Sequence, residues 1–184
     1  IIKENKATIQ NVLRQNQIKI VDSINDTYSS QFCNDIQAIL HEKYSIEATI
    51  GKHISKNHLN LHIIHNALYY KGISDPHNNS HDGIAVQHIT LEDFMSNASA
   101  ALSSVIHELL IKNDIKNKRI SLFDWNKFGI NTDISFGIRA TIEEDDKYFF
   151  MKIKPDGSFD FVEQQFNLFE FNEYTDCVNI FTDS

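Results

Sequence analysis

Apolar positions near the N terminus recur at a helical period. They do so over residues 5–25 and again over about 30–44, so two helices are predicted there. Ser29 or Ser30 is the expected N-cap of the second helix, because a serine side chain can accept a hydrogen bond from a free backbone amide. These helices either pack on the rest of the fold or belong to a neighbouring one.

From Ser45 the apolar positions alternate with polar ones, which is the period of a strand. Two such runs, 46–50 and 59–63, are separated by polar residues typical of turns. We therefore predict a β-hairpin at about 46–65. Residues 71–83 are predicted to be a loop, because their Asp-Pro, Asn-Asn and Asp-Gly pairs favour turns.

A strand, a long amphipathic helix and a second strand are predicted next. Residues 84–89 have the pattern of a short strand, and Thr90 with Asp93 resembles the capping box of a helix over 91–112. The wide apolar stripe of this helix contains Phe94, Leu102, Val105 and Leu109. With a strand at 119–123 the segment forms a βαβ unit, whose two strands are parallel.

The alternation returns after Trp125 and predicts an antiparallel meander with strands near 134–142, 147–154 and 158–163. The fold class is therefore α+β: N-terminal helices, a β-hairpin, one βαβ unit and a C-terminal antiparallel meander, with a single mixed sheet as an open option. Residues 1–44 are expected to be a helical N-terminal segment and 45–184 an α+β domain. One domain overall is the alternative, and the initial Ile suggests a piece of a larger protein.

Charge is distributed unevenly along the chain. Residues 1–123 hold 12 acidic and 12 basic side chains, whereas residues 124–184 hold 13 acidic and 5 basic ones together with most of the Phe. An acidic surface repels phosphate, which argues against direct nucleic-acid binding by 124–184. It favours contact with a protein partner or with the rest of the same chain. A solvated acidic face over a Phe-rich core is the alternative.

A pentapeptide in this acidic third suggests where a partner would bind. Gln165-Phe166-Asn167-Leu168-Phe169 resembles the peptide by which bacterial replication proteins bind the sliding clamp. The resemblance implies that Gln165, Phe166, Leu168 and Phe169 contact a preformed groove on a partner. Burial of the three apolar side chains in the core of the meander is the alternative.

The composition also bears on the cellular setting. Two distant cysteines, Cys33 and Cys177, provide no disulfide framework, so a cytoplasmic location is expected. No run of 18 apolar residues is present, so no membrane contact is expected.

Histidine is concentrated in residues 53–88, and such enrichment is typical of metal binding. On the predicted strand, His62 and His65 differ by three positions and point to opposite faces, which argues against a site there. The following loop is a better candidate, because its nitrogen and oxygen ligands suit zinc or manganese. The candidate ligands are Asp75, His77, His81 and Asp82. A plain solvated loop is the alternative.

A second candidate lies at the junction between the predicted strand and the long helix. His88 and Thr90 are placed where a strand ends and a helix begins, and free N–H groups at a helix N-terminus bind anions. The alternative is that Thr90 only caps the helix and His88 is an ordinary strand residue.

Two functions remain open. The first is a non-catalytic interaction module of a larger intracellular protein, which contacts a partner through its acidic, Phe-rich third. The second is a metal-dependent hydrolase or nuclease that acts on phosphoesters, with His77, His81 and His88 as catalytic candidates. The sequence favours the first function, because no group of residues in it has a pattern that specifies a reaction. A loop at 75–82 that folds over the start of the 91–112 helix would favour the second.

Overall fold

The chain forms two compact units, Ile1–Asn117 and Lys118–Ser184, in the computed structural model. The residues it describes are 6–71, 75–94, 98–123, 125, 129–142 and 145–165. The first unit contains a four-stranded parallel sheet, and the second contains a three-stranded antiparallel sheet. The predicted α+β class is confirmed. The option of a single mixed sheet is wrong, because the described parallel and antiparallel strands lie in two separate sheets. The boundary predicted after residue 44 falls inside the first unit.

The first unit contains three α-helices, one short 3-10 helix and four strands among its described residues. They are α1 (Lys6–Asn16), β1 (Ile18–Asp22), α2 (Thr27–Tyr44), β2 (Thr49–Gly51), β3 (Leu59–Ile64), η1 (Pro76–Asn78), β4 (Val86–Thr90) and α3 (Ala98–Asn117). The described strands of the second unit are β5 (Ile134–Ile142), β6 (Asp145–Ile153) and β7 (Phe159–Gln165).

The parallel sheet has the strand order β2-β1-β3-β4. Ile20 of β1 pairs with Ile50 on one side and with Leu61 on the other, and both pairings are parallel. The hairpin predicted at 46–65 is therefore wrong, because β1 lies between its two strands. Alternation located β3 well and overlapped β2 only at Thr49 and Ile50, and it carries no information about which strand pairs with which.

The missing partner strand, β1, lies within the first predicted helix. That helix ends at Asn16, and Gln17 has a φ of 54°, in the left-handed region that commonly ends helices. Ile18, Ile20 and Val21 then form a buried strand. Their β-branched side chains lose rotamer freedom in a helix but pack well in a sheet.

The second predicted helix is confirmed as α2, with Asp26 as its N-cap instead of Ser29 or Ser30. Asp26 Oδ1 accepts a hydrogen bond from the Ser29 backbone N–H at 2.6 Å, and the Asp26 N–H donates to Ser29 Oγ at 3.1 Å. Ser29 Oγ also donates to Asp22 at the end of β1, at 3.0 Å. These bonds attach the start of α2 to the C-terminal end of the central strand.

The third helix is displaced toward the C terminus relative to its prediction. It begins at Ala98 instead of near residue 91, and residues 91–94 form turns and a bend. The turn is anchored because Phe94 packs edge-on against Phe32, with ring centroids 5.5 Å apart, and Glu92 accepts hydrogen bonds from the region after β3. Thr90 is the last residue of β4, so the cap predicted there is wrong.

The βαβ unit predicted across this helix is also wrong. Among residues 119–123, Arg119 makes an isolated antiparallel bridge with Ser158 of the second unit and no strand forms. A parallel crossover is present elsewhere, since β1, α2 and β2 follow one another and the two strands are hydrogen-bonded neighbours. The predicted antiparallel meander is confirmed as β5-β6-β7.

The buried face of α3 provides a test of core packing. Leu102 is fully buried, and Leu102→Ala is expected to lower the free energy of unfolding by about 2–5 kcal/mol through lost burial and a residual cavity. Ile111 on the same helix is 53% exposed, so Ile111→Ala is the matched control and should cost below about 1 kcal/mol. Urea unfolding of both variants measures the difference, and equal losses would mean that the buried face is wrongly assigned.

Cys33 of α2 provides a second test. It is fully buried, and burial raises the pKa of its thiol to about 12, with the Asp22 carboxylate acting in the same direction. In a Cys177→Ser variant, a disulfide reagent at about pH 8 should modify Cys33 at least roughly 100-fold more slowly than it modifies a model thiol. Denaturant should restore fast reaction. Rapid modification of the native protein would contradict the packing of α2.

Candidate metal centre

Two histidines are adjacent on the parallel sheet. His62 of β3 and His88 of β4 are register partners, so their side chains project from the same face. Their ring centroids lie 5.2 Å apart. His62 lies on an interior strand, because β3 is flanked by β1 and β4. Only 6% of its surface is exposed.

A third histidine reaches this pair from the loop that precedes β4. The ring of His81 lies 6.4 Å from that of His62 and 5.8 Å from that of His88. A hydrogen bond of 2.9 Å from the Ile84 N–H to the His81 carbonyl closes a turn in this loop. Gly83, inside the turn, has a φ of 69°. One ring nitrogen from each of the three residues lies within 4.8 Å of the others. We call His62, His81 and His88 the histidine triad.

The triad has buried nitrogens without protein partners. Among the described residues, His62 Nδ1, His81 Nε2 and His88 Nε2 are buried and accept or donate no hydrogen bond. A buried polar atom left unpaired costs roughly 1–3 kcal/mol, so such atoms normally face a water or a ligand. Each ring of the triad therefore has one buried nitrogen without a protein partner.

Two histidines of the triad, His62 and His88, are neutral at physiological pH. Burial lowers the pKa of His62 to about 4, and His81 nearby lowers it further. Burial likewise lowers the pKa of His88 to about 4, with smaller effects from the other histidines and Lys112. A neutral imidazole nitrogen is the form that coordinates a metal ion, so protons do not compete for these two residues near pH 7.

The orientation of His62 is set by β1. Ser23, which follows β1, shares a hydrogen bond with His62 Nε2. This leaves Nδ1 as the available nitrogen of that ring, in the way that a second-shell partner fixes the tautomer of a metal ligand. The contact thus links His62 to the residue that follows the neighbouring strand β1.

A second polar group lies next to the triad. His77 Nδ1 is 2.6 Å from Asp75 Oδ1, which also accepts the His77 backbone N–H at 2.9 Å. These two contacts hold the pKa of Asp75 below its usual value. The His77 ring lies 5.9 Å from that of His88. The pair is therefore beside the triad, with its ring fixed by a carboxylate.

A cavity of about 370 Å³ opens next to these groups. His77, His81 and His88 form part of its wall, and the last turns of α3 form another part. The loop that carries His77 and His81 thus lines this cavity together with β4 and the C-terminal half of α3, and none of the described lining residues belongs to the start of that helix. The loop position that would have favoured a hydrolase is therefore not seen at this cavity, and the case for a metal site is carried by the histidine triad alone.

The site residues predicted from the sequence lie close together in the structure, but only two of them belong to the triad. His81 and His88 join the triad, His77 and Asp75 pair beside it, and Asp82 lines the cavity and accepts a hydrogen bond from Ser80 Oγ. The anion site predicted at His88 and Thr90 lacks its helix N-terminus, because α3 begins at Ala98.

His62 was missed by the sequence reasoning. The sequence places His62 and His65 on one strand with opposite faces, which argued against a site there. In the structure β3 ends at Ile64, before His65, and the register of β3 with β4 brings His62 beside His88 instead. The one available signal was that His62 and His88 both occupy short, apolar strand patterns.

The predicted partner peptide is described only at its first residue. Gln165 ends β7 and pairs with Lys147 of β6. Phe166, Leu168 and Phe169 lie outside the described residues, so partner binding through them stays a prediction. Within the described part of the chain, none of the helices combines the length and apolar character that membrane crossing requires.

Neither a protein-family model nor a curated protein matches this chain. We therefore infer the function from the geometry of the site.

Proposed function

We propose that the histidine triad binds one divalent transition metal ion, with zinc as the preferred ion. The observation that carries this proposal is the convergence of three histidine ring nitrogens within 4.8 Å of one another. Tetrahedral zinc with Zn–N bonds of about 2.0–2.1 Å needs ligand nitrogens roughly 3.3 Å apart, so small side-chain rotations would close the site. An all-nitrogen ligand set also suits zinc better than manganese, which prefers oxygen.

The number of ligands supports a catalytic role over a structural one. Structural zinc sites are usually closed by four protein ligands, whereas hydrolytic sites use three and leave a position for water. The triad supplies three, and two of them, His81 and His88, also line the adjacent cavity, from which water could reach a bound ion. We therefore propose a metal-dependent hydrolase.

Each residue has a defined part in this proposal. A bound zinc would lower the pKa of a coordinated water toward neutrality. His62, His81 and His88 would hold the ion, and Ser23 would orient His62 through its hydrogen bond. His77, held by Asp75, would line the entrance and contact a substrate or water.

Zinc-dependent turnover tests the hydrolase proposal. The metal-free protein reconstituted with one equivalent of zinc is expected to hydrolyse at least one of p-nitrophenyl phosphate, bis(p-nitrophenyl) phosphate and p-nitrophenyl acetate. A His62→Ala/His88→Ala variant should show neither bound zinc nor turnover. A His77→Ala/His81→Ala variant should also contain less metal after growth in zinc- and manganese-rich medium. Stoichiometric zinc without turnover of any substrate would leave a binding site and contradict the hydrolase.

One observation favours a second function in the acidic third of the chain. Phe136 and Phe161 project from the same face of the antiparallel sheet, because both align with Met151, and they are 53% and 57% exposed. Exposed apolar faces of this kind are typical of protein contacts. We propose that this face binds a protein partner. Cross-linking of the full chain in its native cells should join the partner to this face; cross-links confined to the first unit would contradict it.

A further inference from the structure

The cavity beside the histidine triad has a basic wall. Lys112 and Lys116 of α3 both line it, and because they are four residues apart they lie on the same side of the helix. We propose that this wall binds the phosphoryl group of a phosphoester next to the metal. This inference rests on the proposed hydrolase and specifies its class of substrate.

Both ammonium groups are anchored and still have donors available. Lys112 Nζ donates to the Val86 carbonyl of β4 at 2.8 Å, and Lys116 Nζ donates to the Lys56 carbonyl at 3.0 Å. An ammonium group has three N–H donors, so each lysine retains two for a ligand. Anchoring also lowers the entropy lost when a flexible side chain is ordered by binding.

The charge of the cavity selects an anion. Asp82 is the one acidic residue among its described lining residues, against two lysines. A divalent ion held by the three histidines would add two positive charges to those of the two lysines. A phosphoryl group carries negative charge that two ammonium groups and a metal can share, whereas a neutral acyl ester gains little from them.

The lysines would act on the oxygens that stay on phosphorus. In hydrolysis the oxygen of water forms a new bond to phosphorus, and the ester P–O bond breaks. The leaving oxygen departs with the bonding electrons and takes up a proton, and the water loses one, so no oxidant or further reactant is needed. Lys112 and Lys116 would neutralise the non-bridging oxygens, as cationic side chains do in other phosphoryl-transfer sites.

Binding of inorganic phosphate to the zinc-loaded protein tests this role. Calorimetry should show that Lys112→Ala weakens phosphate binding by roughly 10- to 100-fold, because a charge-assisted hydrogen bond is lost. Lys112→Arg keeps the charge and should restore binding to within about threefold. Lys52→Ala removes an exposed lysine in the β2–β3 loop and is the control for net charge.

Zinc content and melting temperature are measured for each variant. Loss of phosphate binding in Lys112→Ala, with full zinc content and a rescue by arginine, supports the inference. Zinc binding without phosphate binding in the wild type overturns this inference and leaves the metal site intact. Equal weakening in Lys52→Ala also overturns it. Failure of the wild type to bind zinc overturns the hydrolase proposal and this inference with it.

Discussion

Replacing His88 with alanine is expected to weaken zinc binding by at least roughly 100-fold, since loss of a second-shell partner alone typically costs 10–100-fold. The substitution removes one of three ligands and leaves a site that two imidazoles cannot complete. The measurement is a competition titration of metal-free protein against a zinc chelator of known affinity.

His41→Ala is the matched control for this experiment. His41 lies on α2, its side chain is 65% exposed, and it contacts Glu47 at 3.2 Å. An exposed pair of this kind contributes little to stability, so the variant should bind zinc like the wild type. Equal affinities for zinc in the His88→Ala and His41→Ala variants would contradict the triad as the metal site.

Metal-free protein is expected to lose stability as the pH falls from 7 to 5. The pKa values of His62 and His88 are about 4 in the folded state and about 6.5 when unfolded. Between these values the unfolded chain binds more protons, so the free energy of unfolding rises with pH in this window and falls on acidification. Allowing for solvent screening, the loss between pH 7 and pH 5 should be roughly 2–3 kcal/mol.

Urea unfolding at several pH values measures this effect. Most carboxylates remain ionised down to about pH 5, so the histidines dominate the window. A His62→Gln/His88→Gln variant should show a distinctly flatter dependence, while His41→Ala should keep the slope of the wild type. A wild-type stability that is constant from pH 7 to pH 5 would mean that these rings are more hydrated than the structure indicates.

Local signals in the sequence were sufficient for the fold class and for several elements. The period of apolar residues identified α2 and the three strands of the meander, because each is determined by nearby residues. It failed for β1, where Gln17 adopts a left-handed backbone and a helical pattern gives way to a strand. It also failed for the start of α3, where Phe94 packs against Phe32, more than 60 residues away in sequence.

The candidate site could also be predicted only in part, because its residues come from segments that are distant in sequence. Clustering of histidines pointed to the loop that carries His81, and His88 was noticed for its place at the end of a strand. Assembly of the triad depends on the parallel register that aligns His62 with His88, and that register depends on the position of β1 beside β3. Pairing between distant strands is set by tertiary contacts, so single-sequence periodicity could not supply it.

X-ray absorption at the zinc edge is the decisive measurement for a metal centre at the histidine triad. Metal-free protein is loaded with one equivalent of zinc, freed of excess metal and measured for stoichiometry and coordination. We expect one zinc per chain, bound to three imidazole nitrogens at about 2.0–2.1 Å and one further oxygen or nitrogen. Absence of stoichiometric zinc, or a spectrum with fewer than three imidazoles, would contradict a metal centre at His62, His81 and His88.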